Sequence, residues 1–389
     1  MKPIFAVLFL FGLNSFASPV SQETFYENAS GTPLLSLLKS ANTSLDIEIY
    51  EMDDPLFLAE IHAAVDRGVK VRVVKEDKPV GDACRVFDSV EAKDSSSCQA
   101  QKELVSYVQK SGGEYVPFNH TNLCGIAGTS CFEHGKIILV DGIQAFISTG
   151  NFNTSNLCNP SEHQTTCNRD YSVISRDSSV VSSLAQIFVN DLKGSAYAVK
   201  ELMDGADFQK LTVSPYSLSP LISFIVGAKS KIQIQNQYLK DPDLNNALIE
   251  AAKRGVNVEV MVASVCSFGK PTETEITKWN SIYGSFDQAG IRSRIFSRAI
   301  KINGVGGYLH AKAIVVDGER AWVGSVNGST TSLSDNREFG IFLTDRVEVK
   351  KLQFFMDQDF SNPNGETWEE SAECKSDPSP SRPSDFQLH

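Results

Sequence analysis

The 389-residue chain is 41% apolar and 21% charged, and it carries a formal net charge of −11 at pH 7. This length suits one large α/β domain or two of ordinary size, with enough apolar residues for a large core. The negative charge argues against the overall basic field of a general nucleic-acid binder, although it leaves room for a locally basic groove.

The first 18 residues, MKPIFAVLFLFGLNSFAS, have the layout of a secretory signal peptide. Lys2 forms a short basic head, an apolar stretch runs from Ile4 to Leu13, and the small residue Ala17 marks the expected cleavage site. The alternative is an N-terminal membrane anchor, but the apolar run is shorter than the ~20 residues of a spanning helix. We therefore expect residues 1–17 to be removed and the mature protein to be secreted or periplasmic. No later stretch is long and apolar enough to span a bilayer.

Eight cysteines lie in the mature part of the chain, and an even number in an oxidising compartment favours disulfides. The alternative, zinc binding, is disfavoured because no C-x-x-C pair occurs. Connectivity cannot be read from the sequence, but six of the cysteines come as close neighbours: Cys84 and Cys98, Cys124 and Cys131, Cys158 and Cys167, with Cys266 and Cys374 remaining.

The chain contains an internal repeat. SLDIEIYEMDDPLFLAEIHAAVDRGVKVRVV begins at Ser44, and SKIQIQNQYLKDPDLNNALIEAAKRGVNVEVMV begins at Ser230. Each copy predicts an alternating strand, an amphipathic helix and a buried second strand. Gly68 and Gly255 stand where a glycine ends a helix.

The match extends to FEHGKIILVDGIQAFISTGNFN and YLHAKAIVVDGERAWVGSVNGS. Both copies contain His-x-Lys-x-x-x-x-Asp, an Asn ten residues after the Asp, and a later Asn-Arg-acid triplet. These residues are His134, Lys136, Asp141, Asn151 and Asp170 in the first copy, and His310, Lys312, Asp317, Asn327 and Glu338 in the second. The predicted repeats span residues 23–205 and 206–362, and we expect the polar tail of residues 363–389 to be loop.

Strand parity separates the polar residues of the motif. Side chains alternate along a strand, so His134 and Lys136 share one face and Asp141 has the opposite parity. We therefore interpret Asp141 and Asp317 as structural. A single histidine on a strand is often structural too, but its repetition at equivalent positions favours a shared site. Metal binding fits poorly because a protonated lysine is not a ligand and repels the ion.

These motifs resemble those of the phospholipase D superfamily, whose members carry two H-x-K-x(4)-D motifs, each followed by G-S/G-x-N. HAKAIVVDGERAWVGSVN fits fully, whereas STGN in the first copy has Ser148 in place of the usual Gly. The resemblance covers nearly all of the mature chain. It implies an α/β fold of two similar α/β/α sandwich halves, with mixed, mainly parallel sheets flanked by helices. A pseudo-twofold axis would relate the halves, with the active site at their seam.

The resemblance also implies a two-step mechanism through a phosphohistidine, with no cofactor and no metal. By analogy with two-motif lipases, His134 is the nucleophile and His310 the acid and base. Four side chains would hold the non-bridging oxygens: Lys136, Lys312, Asn151 and Asn327. Asp170 and Glu338 match the family's late acids, which orient the histidines; the alternative is that they are ordinary charges at strand starts. His120, in a loop before Cys124, is expected to be structural or on the surface.

The resulting prediction is an exported, metal-independent phosphodiesterase that hydrolyses phospholipid head-group esters, with transfer of the phosphatidyl group to an alcohol as a second outcome. The lack of later membrane spans argues against a membrane-embedded cardiolipin synthase. One alternative is a secreted endonuclease, which the net charge disfavours, and another is a binding protein without catalysis. We expect a monomer that takes a phospholipid or other phosphodiester and contacts a membrane surface transiently.

Overall fold

The computed structural model describes residues 22–27, 31–80, 84–124, 131–158 and 166–376. The predicted signal peptide and the last 13 residues of the predicted tail lie outside the described residues. Within the described ranges, every helix is too short or too polar to cross a membrane.

The strands are β1 Glu23–Glu27, β2 Ser44–Ile49, β3 Lys70–Lys75, β4 Glu114–Pro117, β5 Lys136–Val140, β6 Gln144–Ser148, β7 Thr166–Arg169, β8 Tyr171–Ser175, β9 Leu211–Ser214, β10 Lys231–Asn236, β11 Asn257–Ala263, β12 Arg292–Phe296, β13 Lys301–Ile302, β14 Val305–Leu309, β15 Ala313–Val316, β16 Arg320–Gly324 and β17 Glu338–Leu343. The α-helices are α1 Thr32–Ser40, α2 Pro55–Asp66, α3 Ser96–Lys110, α4 His120–Leu123, α5 Thr154–Leu157, α6 Ser178–Lys193, α7 Val199–Met203, α8 Leu218–Val226, α9 Pro242–Lys253, α10 Glu273–Gln288, α11 Thr330–Ser334, α12 Arg346–Phe360 and α13 Trp368–Ala372.

Each half is built on a seven-stranded sheet. The orders are β1-β8-β6-β5-β2-β3-β4 and β12-β11-β10-β15-β16-β17-β9. The predicted α/β class with two similar halves and mixed sheets is confirmed. The expectation of mainly parallel sheets is wrong, because only β2-β3-β4 and β10-β11-β12 run parallel and the other four pairings in each sheet are antiparallel. Helical crossovers make parallel pairs, whereas the motif strands return by tight turns and must pair antiparallel.

The predicted strand-helix-strand unit is present in both halves. Asp54 caps α2 by accepting hydrogen bonds from the amides of Leu56 and Phe57. Asp241 caps α9 in the same way, and in both helices a proline follows the cap, where its missing N–H leaves no bond unmade. Gly68 and Gly255 follow these helices with φ of +83° and +92°, a conformation that glycine adopts without strain.

Three apolar clusters hold the layers together. One lies outside the first sheet, under α1, α2 and α3, and a second lies outside the second sheet, under α8, α9 and α10. The third and largest joins both sheets to α6 and α12. On β5, Ile137 and Leu139 belong to this central cluster, whereas Ile138 and Val140 face the outer one. The two halves therefore share one core rather than touching only at their edges.

Two buried ion pairs cross the seam between the halves at equivalent places. The guanidinium of Arg337 donates to Asp191 at the end of α6, with Nε 2.8 Å from Oδ2. Arg169 donates in the same way to Asp359 at the end of α12, also at 2.8 Å. Because each arginine directly precedes a predicted site acid, the pairs fix where the second acid of each half enters the seam.

The seam also contains a small sheet of three strands, in the order β13-β14-β7. Strand β7 of the first half pairs in parallel with β14 of the second, with Leu309 opposite Arg169. This pairing brings the chain before His310 directly against the chain before Asp170.

The start of the predicted tail is helical rather than loop. Trp368 of α13 is buried and stacks on Tyr283 with ring centroids 4.9 Å apart. Cys374 pairs with Cys266, which fastens the segment to the second half. The tail is polar in composition, and its contact with the core rests on one buried tryptophan. The helix is too short for a helical periodicity to be recognised in the sequence.

The seam ion pairs lead to a prediction about stability. Arg337→Met should lower the free energy of unfolding by about 3–5 kcal/mol, because it leaves Asp191 charged, buried and without its partner. The exposed pair between Lys200 and Asp204 provides the control, since Lys200→Met should cost about 0–1 kcal/mol. Equal losses in urea denaturation of the two variants would contradict the role given to the seam pair.

Candidate active site

The predicted site residues meet at one edge of the two sheets. His134 and His310 stand just before β5 and β15, whereas Asn151 follows β6. Each histidine backbone is held by the other half. The amide of His134 donates to the carbonyl of Arg337 at 2.8 Å, and that of His310 donates to the carbonyl of Arg169 at 3.1 Å. The histidines thus reach the site from the strand ends and not from a sheet face.

Each imidazole is paired with the late acid of the opposite half. His134 Nδ1 lies 2.9 Å from Glu338 Oε2, and His310 Nδ1 lies 3.0 Å from Asp170 Oδ1. Burial opposes ionisation of both carboxyls, but attraction to the paired histidine holds the pKa of Asp170 and of Glu338 below the usual values. An ionised carboxylate only accepts hydrogen bonds, so Nδ1 of each imidazole carries the hydrogen and Nε2 keeps its lone pair.

Both imidazoles are neutral at physiological pH. Burial lowers the pKa of His134 and of His310 to about 4, against the opposing attraction of the paired carboxylates. Binding of a phosphodiester anion beside them would stabilise the protonated form and raise these pKa values. An anionic substrate would therefore favour the binding of a proton by an imidazole, which is the form in which that imidazole can act as an acid.

The two motif lysines are fully buried and differ in their contacts. Lys312 Nζ donates to His310 Nε2 at 3.1 Å and to the carbonyl of Thr149 at 3.2 Å. Lys136 donates to the carbonyl of His134 and lies over the ring of Tyr50. No hydrogen bond to His134 Nε2 is present among the described residues. Burial lowers the pKa of Lys136 to about 8 and that of Lys312 to about 7.

Asn151 and Asn327 complete the predicted set. The side-chain oxygen of each is buried and has no hydrogen-bond partner within the described residues. The amide of Asn151 donates to Glu51 Oε2 at 3.2 Å. Tyr238, which the repeat places opposite Glu51, lies beside Asn327. Both asparagines therefore keep polar groups directed at the site rather than bonded to one another.

Asp141 and Asp317 lie at the opposite end of the motif strands, away from the histidines. Asp141 accepts hydrogen bonds from the amides of residues 42–44, and Asp317 accepts them from the amides of residues 229–231. Both residues have positive φ, so the motif acids join a tight turn to the start of the neighbouring strand.

Sequence reasoning missed three side chains that hold the late acids. Thr149 Oγ1 donates to Asp170 Oδ1 at 2.6 Å, and Asn156 Nδ2 lies 2.6 Å from Asp170 Oδ2. Asn336 Nδ2 donates to Glu338 Oε1 at 3.1 Å. Thr149 could have been found, because the repeat aligns it with Ser325 of the GSVN stretch. Asn336 opens the repeated Asn-Arg-acid triplet and could also have been found, whereas Asn156 aligns with Ser332 and the repeat gives no signal for it.

The walls beside the two histidines differ in charge. At four pairs of equivalent positions the first half has Glu or Lys where the second has an aromatic or aliphatic residue: Glu51 and Tyr238, Lys75 and Val262, Glu76 and Ala263, Glu133 and Leu309. Glu51 and Tyr238 are partly exposed, whereas the other six are buried. Burial raises the pKa of Glu51. The first-half wall thus contains three glutamates and one lysine, and the second-half wall is apolar and aromatic, with Glu51 and Tyr238 as the members that reach the surface.

The aromatic residues beside the motifs divide between site and core. The ring of Tyr50 lies 5.0 Å from that of His134 and 6.1 Å from Phe132. Tyr308 accepts a hydrogen bond from Gln237 close to His310, whereas Phe152 is fully buried in the outer core. Gly135 separates His134 from Lys136, and a Cβ there would lie 2.4 Å from the ring of Phe339.

His120 lies between two carboxylates in the first-half wall. Its Nε2 is 3.0 Å from Glu76, and its Nδ1 is 3.4 Å from Asp77. Glu76 also accepts the amide of Glu133, the residue before His134. These three side chains form the one metal-like cluster in the described part of the chain. Because the two ring nitrogens face different carboxylates, the arrangement fits a protonated imidazolium better than one bound ion.

Comparison with known proteins places the chain in a family. The family described as "Cardiolipin synthase, PLD-like domain" matches residues 34–192 and 221–360. A cardiolipin synthase of Halalkalibacterium halodurans is 26% identical over 287 residues, which are 68% of this chain and 54% of that protein. The chain therefore spans about half the length of this curated relative.

Two solved structures share the fold. Phosphatidylserine synthase of Haemophilus influenzae superposes with a TM-score of 0.62 at 14% identity, over 89% of this chain and 87% of that chain. Polyphosphate kinase of Porphyromonas gingivalis gives 0.57 at 14% identity, over 87% of this chain and 50% of that chain. At these identities the likeness concerns the arrangement of strands and helices only.

The His120 cluster leads to a prediction about pH. The hydrogen bond to Glu76 raises the pKa of His120 above its usual value. A raised pKa in the folded state means that the stabilisation is complete below the unfolded pKa of ~6.5 and is lost as the pH rises through the folded pKa. We expect the free energy of unfolding of His120→Gln, measured from pH 6 to pH 9, to lie furthest below that of wild type at pH 6. The gap between the two free energies should close at higher pH. A gap independent of pH would contradict this interpretation.

Proposed function

The chain belongs to the phospholipase D superfamily, and we propose that it cleaves phospholipid head-group esters through a phosphohistidine. The observation that carries the proposal is the cross-pairing at the seam. Two neutral imidazoles, each fixed by a carboxylate from the opposite half and each followed by a buried lysine, form a site for a phosphodiester anion. Neither motif histidine is paired with an acid of its own half.

In the first step, Nε2 of His134 attacks phosphorus. A P–N bond forms and the P–O bond to the head-group oxygen breaks. His310, which is protonated at Nε2 once the anionic substrate is bound, gives that Nε2 proton to the leaving oxygen. Lys136, Lys312 and the two site asparagines would hold the non-bridging oxygens as charge develops. In the second step, water or an alcohol gives its proton to His310 and bonds to phosphorus as the P–N bond breaks.

The contacts of the two histidines support this order of roles. His134 Nε2 carries a lone pair and meets no hydrogen-bond donor among the described residues, as a nucleophile requires. His310 Nε2 lies 3.1 Å from the ammonium of Lys312, which has a pKa of about 7 and is a proton source suited to an acid. We therefore assign attack to His134 and proton transfer to His310.

The difference between the walls supports a phospholipid over a nucleic acid. A phospholipid joins a polar alcohol to an apolar diacylglycerol across its phosphate, which matches the two partly exposed wall residues, the carboxyl of Glu51 on one side and the ring of Tyr238 on the other. A nucleic acid is polar on both sides and favours cationic grooves, whereas the partly exposed residue of the first-half wall is the acidic Glu51. The relative and the structural neighbour that are named synthases of phospholipids support an alcohol as well as water as the acceptor.

Export is part of the proposal. The expected signal peptide lies outside the described residues, but all eight cysteines are paired: Cys84–Cys98, Cys124–Cys131, Cys158–Cys167 and Cys266–Cys374. Four disulfides in one chain suit an oxidising compartment. A cell-fractionation experiment with the full chain would locate the protein, and a cytoplasmic product with reduced thiols would contradict export.

The main functional test is a substrate panel. Mature protein should release head groups from phospholipid vesicles in the presence of EDTA, and added alcohol should yield a transfer product. Plasmid and single-stranded DNA provide the comparison. DNA cleavage without lipid turnover would replace the proposal with a nuclease, and loss of activity in EDTA that a metal restores would contradict the mechanism.

His134→Asn and His310→Asn should each abolish lipid turnover, because each imidazole has a task that the other does not perform. The expected loss is about 10³-fold or more, as for other catalytic units that act together. Head-group release measures the loss, and circular dichroism checks that the variants fold. Unchanged turnover in either variant would overturn the assignment.

Glu51 leads to a prediction about head-group preference. Its carboxylate should attract an ammonium-bearing head group, so Glu51→Gln should lower kcat/KM for phosphatidylethanolamine relative to phosphatidylglycerol by about fivefold, the size expected of a partly exposed ion pair of about 1 kcal/mol. The matched control is Tyr238→Phe on the opposite wall, which should leave the ratio of the two substrates unchanged. An unchanged ratio of the two kcat/KM values in Glu51→Gln would mean that Glu51 takes no part in head-group recognition.

A further inference from the structure

The two halves differ in how the chain returns from the site asparagine to the late acid. In the second half only residues 334 and 335 separate Leu333 from Asn336. In the first half the equivalent connection is residues 158–167, eight residues longer. The ends of this longer connection are joined by the disulfide Cys158–Cys167, with the Cα atoms 5.2 Å apart. The disulfide therefore holds the two ends of the longer connection close together, as the two-residue turn does in the second half.

The segments that the disulfide joins both hold the acid of His310. Asn156, two residues before Cys158, is buried, and its Nδ2 lies 2.6 Å from Asp170 Oδ2. Asp170 itself comes three residues after Cys167, and its other oxygen lies 3.0 Å from His310 Nδ1. The amide of Asn156 is also 3.1 Å from His310 Nδ1. Since both nitrogens carry hydrogens, each donates to its own oxygen of Asp170, and the two donors lie side by side against one carboxylate.

Strand β7 adds a third link between this segment and His310. Cys167 pairs with Gly307 in the small seam sheet, and the amide of His310 donates to the carbonyl of Arg169. The backbone before His310 and the carboxylate that orients its ring thus depend on the same short strand. The disulfide adds to the pairing with β14 and to the ion pair of Arg169 with Asp359, and it ties the strand to the segment that contains Asn156.

The second half holds its late acid, Glu338, in place without a disulfide. Asn336, two residues before Glu338, donates to that carboxylate from within the turn. Ser332 is the equivalent of Asn156, but its amide and carbonyl serve the α11 cap and Ser214. The carboxylate partner of His134 is therefore held from within the turn, whereas that of His310 is held by Thr149 on one oxygen and, on the other, by Asn156 across a ten-residue connection.

We propose that Asn156 and the disulfide Cys158–Cys167 are positioning elements for His310. They hold Asp170 as the acceptor of the Nδ1 hydrogen and keep Nε2 of His310 directed at the substrate. The effect on turnover rests on the proposed function, whereas the effect on the imidazole does not require any activity.

The test is a double variant, Cys158→Ser with Cys167→Ser, studied by nitrogen-15 NMR of histidine. In the wild type, His310 and His134 should both be Nδ1–H tautomers, each assigned by its His→Asn variant. In the double variant His310 should shift toward the Nε2–H tautomer while His134 is unchanged. Cys84→Ser with Cys98→Ser removes another short-loop disulfide and should leave both tautomers unchanged. Retention of the His310 tautomer, or an equal change in both histidines, would overturn the proposal.

A second pair of variants keeps the proposal testable if the disulfide variant does not fold. Asn156→Ala should lower kcat by about 10- to 100-fold, as other losses of an orienting hydrogen bond do, and should shift the His310 tautomer. Ser332→Ala at the equivalent position should change neither quantity. An Asn156→Ala protein with the wild-type His310 tautomer would contradict the positioning role. A tautomer shift in Asn156→Ala, together with a wild-type protein that turns over no lipid, would contradict the proposed function alone.

Discussion

The structure depends on one interaction made twice: a histidine from one half hydrogen-bonded to a carboxylate from the other. His134 with Glu338 and His310 with Asp170 can form only if the halves dock in register. The apolar core shared by both sheets supplies most of the docking energy, since burial of apolar surface is the dominant favourable contribution. The buried pairs of Arg169 and Arg337 then fix the register, because a displaced guanidinium would leave two charges buried without partners.

This arrangement explains the electrostatics of the site. Burial favours the neutral form of both imidazoles and lowers the pKa of both motif lysines, so the site residues carry less charge than their composition suggests. A phosphodiester anion reverses that balance by favouring the protonated forms of its neighbours. The acids on the far side of each imidazole stay ionised throughout. They fix the tautomer of the imidazole and do not themselves titrate near neutral pH.

Much of the fold and the identity of the paired residues could be predicted from the sequence, because the repeat is explicit. Asp54-Pro55 and Asp241-Pro242 begin equivalent helices, and the two H-x-K motifs locate equivalent strands. The direction of most strands could not be predicted, since local patterns do not say whether a return is a turn or a crossover. The cross-pairing of acids, the role of Asn156 and the helix at Trp368 were also beyond sequence reasoning. Each depends on a contact between distant parts of the chain or on a difference between the halves.

The central claim is that His134 attacks phosphorus while His310 transfers the proton, and the most direct measurement is the trapped intermediate. A phospholipid analogue with a p-nitrophenyl leaving group needs no acid for the first step. In His310→Asn, His134 should therefore still attack the analogue, and the resulting adduct should break down slowly. Mass spectrometry of the acid-free, quenched reaction should find the phosphatidyl group on Nε2 of His134 in that variant and no adduct in His134→Asn. An adduct on His310, or none in either protein while the analogue is consumed, would contradict the account.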